Sequence, residues 1–152
     1  MGMKKAEQKW KSYGLDCPIA KTLDVVGDRW TLLIIRDLLR GTTKYQDLLE
    51  SLQGISTNLL AERLARLVEE NIVAKTLYSE KPPRAEYHLT ERGKQLVAVV
   101  DSLFEWGVQW RGWGIAPELQ TMREYLIREL GLKPGDVRMV SQLPQARKIS
   151  WT

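Results

Sequence analysis

The chain has 152 residues, 43% of them hydrophobic and 28% charged, with a net charge of +4 and a pI near 9.2. No apolar run approaches the ~20 residues that cross a bilayer; the best, Trp30 to Ile35, is closed by Arg36 and Asp37. A single cysteine excludes an internal disulfide framework and fits a reducing cytosol, and no hydrophobic segment follows the Met-Gly-Met-Lys-Lys start, so no secretory leader is expected.

This length suits one domain with appendages. The expected division is an N-terminal arm over 1–16, a body over 17–113, and a helical extension and tail over 114–152. A basic balance favours an anionic partner, and placement sharpens that reading. Lys4, Lys5, Lys9 and Lys11 crowd the arm, while Lys75, Lys81 and Arg84 surround one loop.

After the arm, Asp16-Cys17-Pro18 reads as a helix start with Pro18 at the first helical position, where its missing N–H costs nothing. Ile19, Leu23 and Val26 share a face, and Gly27 closes the helix. Asp28 is placed to cap a second helix, with Trp30, Leu33, Ile34 and Leu38 at helical spacing and Gly41 as its end. Tyr45, Leu48, Leu49 and Leu52 repeat the pattern over a short third helix.

Gly54 breaks that helix and Ser56 caps a fourth, whose buried stripe is Leu60, Leu64 and Leu67. Two helices joined by a tight Gly-containing turn predict a helix-turn-helix, the second helix being the one that enters a DNA groove. Its outer face offers Thr57, Asn58, Ala61, Glu62, Ala65 and Arg66.

Val73 to Tyr78 and Ala85 to Leu89 are rich in strand formers. The stretch Ser79-Glu80-Lys81-Pro82-Pro83-Arg84 between them is expected to be an irregular, protruding, Pro-stiffened loop. Helices followed by a two-stranded ribbon give the expected fold class: mainly α with a small β-ribbon, a winged helix-turn-helix.

Thr90 caps what reads as one long helix to about Trp110. It carries two apolar stripes: Leu96, Val99, Leu103, Trp106 and Trp110, and beside them Val97, Val100, Phe104 and Val108. So wide an apolar arc needs two partners. Either both lie in the same subunit, or one stripe meets a second copy. Beyond it, Pro117 to Leu130 reads as a further amphipathic helix and Val137 to Val140 as a short strand, and the tail from Ser141 is expected to be loosely held.

Cys17-Pro18, the run Gly27-Asp28-Arg29-Trp30-Thr31-Leu32-Leu33-Ile34, and Leu38-Leu39-Arg40-Gly41 resemble the HxlR family of bacterial transcriptional regulators. Gly54-Ile55-Ser56 with Leu60, Arg63-Leu64 and Leu67 continues the likeness, followed by Pro82-Pro83, Tyr87-His88-Leu89-Thr90-Glu91-Arg92-Gly93 and Trp106-Gly107. The resemblance implies a winged-helix homodimer, paired through its N-terminal and long C-terminal helices, on a pseudo-palindromic operator. Ile19 and Leu23, with Val97, Val100, Phe104 and Val108, are the expected dimerisation residues. The residues beyond Trp110 fall outside it.

For DNA contact, Thr57 and Asn58 stand in the first turn of the reading helix, where side chains reach deepest. Asn pairs bidentately with adenine, and Thr bonds or touches a thymine methyl. Glu62 either accepts from a cytosine amine or bonds Arg66 four residues on. Arg63 and Arg66 suit phosphate, with a structural ion pair as the alternative for Arg63. Ser56 combines capping with phosphate contact, and Lys81 and Arg84 serve the wing.

Two readings fit Cys17. A thiolate at a helix N-terminus is stabilised by the dipole and free N–H groups and reacts with oxidants or electrophiles. Some HxlR-like regulators sense redox or electrophilic stress through a cysteine in this position. The other reading is a small buried hydrophobe.

His88, the only histidine, lacks partners for a zinc site, and no nucleophile triad, phosphate loop or H-E-x-x-H is present. The expectation is therefore a non-enzymatic regulator without metal or cofactor. It would act in the cytoplasm at the nucleoid, as a repressor in the sense that repression is common in the resembled family. Its partners would be operator DNA, a second copy, and a small-molecule or electrophile effector. Two further readings stay open: a ligand pocket among the C-terminal tryptophans, and a winged helix that binds protein.

Overall fold

The computed structural model describes residues 10–111. The lysines before Trp10, the helix at 117–130, the strand at 137–140 and the tail lie outside these residues. Helix α1 (Pro18–Val26) starts behind an extended Cys17, with Pro18 in the position where no backbone donor is needed. Helix α2 (Thr31–Leu39) starts three residues after Asp28. Asp28 still serves its first turn: Oδ1 accepts from the N–H groups of Trp30 and Thr31 at 2.9 and 3.1 Å, and Oδ2 from the Thr31 hydroxyl.

Helices α3 (Tyr45–Ser51) and α4 (Thr57–Glu69) follow, joined by a turn in which Gly54 takes φ +97°. That backbone region disfavours any side chain. Ser56 caps α4, its Oγ accepting from Leu59 N–H at 3.2 Å. Ile34, Ile35 and Leu38 of α2, Leu48 of α3, and Leu60, Leu64 and Leu67 of α4 meet in one core. Asp37 is buried in it at 1% exposure, and burial of a carboxylate requires partners. Arg36 reaches its Oδ1 at 2.7 Å, and Ser51 Oγ donates to its Oδ2 at 2.7 Å, tying α2 to α3.

Asn71, at φ +55°, turns the chain out of α4, and Ile72 N–H returns to Leu67 O at 2.9 Å. Strands β1 (Val73–Glu80) and β2 (Pro83–Leu89) then pair antiparallel from Val73↔Leu89 out to Glu80↔Pro83, with a register shift between Leu77 and Ser79. The expected six-residue irregular loop is thus wrong. Only Lys81 and Pro82 connect the strands, through a cis peptide bond. Pro83 is compatible with this because a proline at the first residue of a strand loses no needed ladder donor. A segment before α3 also joins β2, with Tyr87 N–H donating to Thr43 O at 2.8 Å and Lys44 bridging Glu86.

The expected single helix from Thr90 is two: α5 (Glu91–Lys94) and α6 (Val97–Arg111). Within α5, a Cβ at Gly93 would lie 2.1 Å from Ile72 O. The chain passes backbone against backbone at this point, and Thr90 stitches it down. Its Oγ1 donates to Asn71 O at 2.7 Å while accepting from Gly93 N–H at 3.0 Å. Helix α6 then packs against α2.

Along α6 the two stripes separate, except that Leu96, just before the helix, packs on the core with the second stripe. Val100 is buried in the core, with Leu96, Val97 and Phe104 packed against it. Val99, Leu103, Trp106 and Trp110 face outward, Trp110 at 66% exposure. Val97, Val100 and Phe104, expected at a dimer contact, instead pack in or against the subunit's own core. The side chain of Val108 lies outside what is described.

Candidate nucleic-acid interface

Because Leu60, Leu64 and Leu67 are buried, α4 turns Thr57, Asn58, Ala61, Glu62 and Ala65 to solvent. The start of α4 is held from below: the Tyr45 hydroxyl donates to Thr57 O at 2.7 Å. Ser56, Thr57 and Asn58 thus stand exposed on a braced first turn. A helix N-terminus with small polar side chains and no competing ion pairs suits entry into a major groove.

The charged residues of α4 are more engaged than the sequence suggested. Arg66 pairs with Glu70 at 2.8 Å, one turn further on, and not with Glu62. The spacing Glu62–Arg66 was plausible, but Arg66 turns toward the C-terminal end of the helix. Glu62 lies 3.7 Å from Arg63 Nη1, and Arg63 Nε lies 3.3 Å from Asp28 Oδ1. The structural alternative for Arg63 is therefore present: it joins α4 to the cap of α2.

The wing carries Lys81 in its turn and Arg84 on β2, both exposed. Ser79 Oγ donates to Pro82 O at 2.9 Å and braces the tip. Between the wing and α3 runs a groove of about 490 Å³, lined by Tyr45, Lys75, Tyr78, Arg84 and Tyr87 among others. Lys44 Nζ lies 5.7 Å from the Tyr78 ring and Lys75 Nζ 6.0 Å from the Tyr87 ring. Burial pushes the phenols of Tyr45 and Tyr87 up, so both remain neutral hydroxyls near neutral pH.

Cys17 is half-buried at the N-terminus of α1, as the sequence placed it. Ile19 and Leu23 on α1 are exposed, Ile19 at 72%. His88 sits on the open face of the ribbon with Nε2 3.3 Å from Glu86 Oε2. No cluster of three or more metal-ligating side chains occurs among the described residues, and no described helix is long and apolar enough to cross a membrane.

The arm was expected, but its docking on the helices of its own chain escaped sequence reading. Residues from Trp10 onward dock on α1 and α4 through Trp10, Ser12 and Tyr13. A lone tryptophan among arm lysines was the available signal.

A helix-turn-helix, an exposed reading helix and a basic two-stranded wing beside it define a winged-helix DNA-binding protein. The chain belongs to the HxlR-like helix-turn-helix family, whose model matches residues 25–114. It is 36% identical over 94 residues to an uncharacterized HTH-type transcriptional regulator of Synechocystis, a match covering 62% of this chain and 70% of that one. The HTH-type transcriptional regulator YvaP of Bacillus subtilis is 34% identical over 95 residues, covering 62% of this chain and 88% of YvaP. Among solved structures, the redox regulator HypR in its reduced form aligns with a TM-score of 0.59 at 30% identity, over 62% of this chain and 94% of HypR. The protein is accordingly a transcriptional regulator with a helix-turn-helix DNA-binding fold, and not an enzyme.

Proposed function

We propose that this regulator acts as a homodimeric repressor on a pseudo-palindromic operator in the cytoplasm, with an affinity that responds to thiol chemistry at Cys17. The observation that carries the DNA reading is the braced, unpaired first turn of α4, Thr57 and Asn58, beside the basic wing. Two such helices would enter successive major grooves about 34–36 Å apart. Thr57 and Asn58 read bases; Ser56, Lys81 and Arg84 meet phosphates.

The outward stripe of α6, Val99, Leu103, Trp106 and Trp110, supports pairing with a second copy, together with Ile19 and Leu23 of α1. Contiguous apolar surface of this kind marks an interaction site. The thiol reading draws on the position of Cys17 at the start of α1 and on the likeness to a protein described as a redox regulator. A signal would act by changing the spacing or angle of the two reading helices. An electrophile or small molecule is the effector class this position would take.

The test is binding to DNA from the protein's own promoter region, at two salt concentrations, with the thiol reduced and then oxidised. Tight, salt-sensitive binding lost on oxidation supports both parts. Binding indifferent to oxidation and to complete thiol modification removes the Cys17 switch and leaves the regulator.

A further inference from the structure

The arm is fastened at both ends of a short span. Ser12 Oγ donates to Asp24 Oδ2 at 2.7 Å and Tyr13 N–H to Asp24 Oδ1 at 2.9 Å, which anchors it to α1. Trp10 then reaches across to α4. Its Nε1–H donates to Glu69 Oε2 at 3.1 Å, and its ring lies 5.1 Å from the Arg66 guanidinium and 6.0 Å from that of Arg63. Both distances fall within cation–π range. The indole therefore rests on the second half of the same helix whose first turn is offered to DNA.

The arginines beneath it are incompletely satisfied. The side chains of Arg63 and Arg66 are 23% and 18% exposed. The Nε atom of each is buried without an aligned hydrogen bond; for Arg63 the nearby Asp28 oxygen gives charge compensation but not that alignment. A guanidinium presents five donors in a fork that matches phosphate, and burial under an indole uses only some of them. Asp24, the arm's anchor, also lies within electrostatic reach of Arg66, so the anchor and the covered arginines form one connected group.

We propose that the arm is a brake on backbone binding: Trp10 holds Arg63 and Arg66 away from DNA, and a phosphate competes with the indole for them. With the arm seated, the two guanidinium groups are held between the ring and their carboxylates. With the arm displaced, they turn to the phosphates that flank the groove α4 enters. Trp10 is then a positioning residue for DNA binding, and the arm sets how much of the affinity is indifferent to sequence.

The test uses the full-length, reduced protein and a mixed-sequence duplex, with affinity measured over a series of KCl concentrations. Each phosphate neutralised adds about 0.9 to the slope of log K against log salt. Trp10→Ala is expected to bind more tightly at low salt, with a slope steeper by about 1–2. Trp10→Phe keeps a ring over the arginines and should stay near the parent slope. Ser12→Ala loosens the anchor without touching Arg63 or Arg66, and should steepen the slope by less. Adding R63Q and R66Q to W10A should abolish the gain. An unchanged or shallower slope in folded W10A overturns the proposal, the shallower one meaning that the arm itself is a DNA ligand. If W10A does not fold, the absence of any steepening in S12A overturns it instead.

Discussion

The Tyr45 hydroxyl donates to the Thr57 carbonyl at 2.7 Å, joining the first residue of α3 to the first residue of the reading helix. The two helices of the motif are thus tied at their N-terminal ends, while the apolar core holds them elsewhere. Tyr45→Phe removes this one bond and little volume. It should cost about 1 kcal/mol, a fall in Tm of roughly 4–8 °C for a domain of this size. Thermal denaturation checks this, and an unchanged Tm would show the bond to be idle.

Asp37 tests the buried end of the same motif. Asp37→Ala removes the shared acceptor of Arg36 and Ser51, both of which water can reach, and should cost about 1–3 kcal/mol. Asp37→Asn keeps an acceptor for Ser51 and should lose less. Asp16→Ala, which breaks an exposed pair with Lys21, should change stability by under about 1 kcal/mol. Urea midpoints of the three variants give the ranking.

Two glycines should respond in opposite directions. Gly93→Ala places a Cβ 2.1 Å from Ile72 O, so backbone must move, at a cost of at least about 1–3 kcal/mol. Gly107 lies within α6, and a Cβ there meets nothing within 4 Å. Gly107→Ala should gain about 0.5–1 kcal/mol from helix propensity alone. Calorimetry on both variants would expose an error in either sign.

The anchor of the arm depends on acid. Hydrogen bonds from Ser12 and then Tyr13 hold the Asp24 carboxyl below its ordinary value of 3.8. A carboxyl whose pKa is lower in the folded chain than in the unfolded one contributes its full stabilisation above the unfolded value. That contribution fades as pH falls through the lower, folded value. Amide exchange at Tyr13 should therefore show protection independent of pH from neutrality down to about 4 once the intrinsic rate is divided out, and lose it in stronger acid. Asp24→Ala, which removes the acceptor, should abolish most of that protection at neutral pH.

On DNA, bases and phosphates should separate by residue. Asn58→Ala is expected to cost about 1–3 kcal/mol on the operator and close to nothing on a mixed-sequence duplex. Lys81→Ala should weaken both alike and lower the salt slope by about 1. Equal losses on both duplexes for Asn58→Ala would remove it from base reading.

Where local chemistry decides conformation, the sequence was legible. Pro18 behind Cys17, Ser56 before a helical stripe, and the Leu60, Leu64 and Leu67 spacing each specify a helix without outside help, and the structure has them there. Asp28 was recognised as a cap, although α2 starts later than a cap at that position implies. What escaped depends on contacts distant in sequence. The close pass of Gly93 against Ile72 O is one such contact, and no periodicity within the helix reports it. The short wing turn needed the ladder to continue to Glu80↔Pro83, which paired prolines argue against locally. The seat of Trp10 is a side-chain contact made by an irregular segment, and such segments carry no repeating pattern to read.

The seat of Trp10 on α4 also makes the arm a reporter. Coupling between two binding equilibria is reciprocal, so whatever factor a closed arm imposes on DNA affinity, DNA imposes on arm closure. Lys11 lies in that arm, exposed, and offers a cleavage point to trypsin. The rate at which the protein is clipped there would then track occupancy of the operator, read from the protein alone with no label on the DNA.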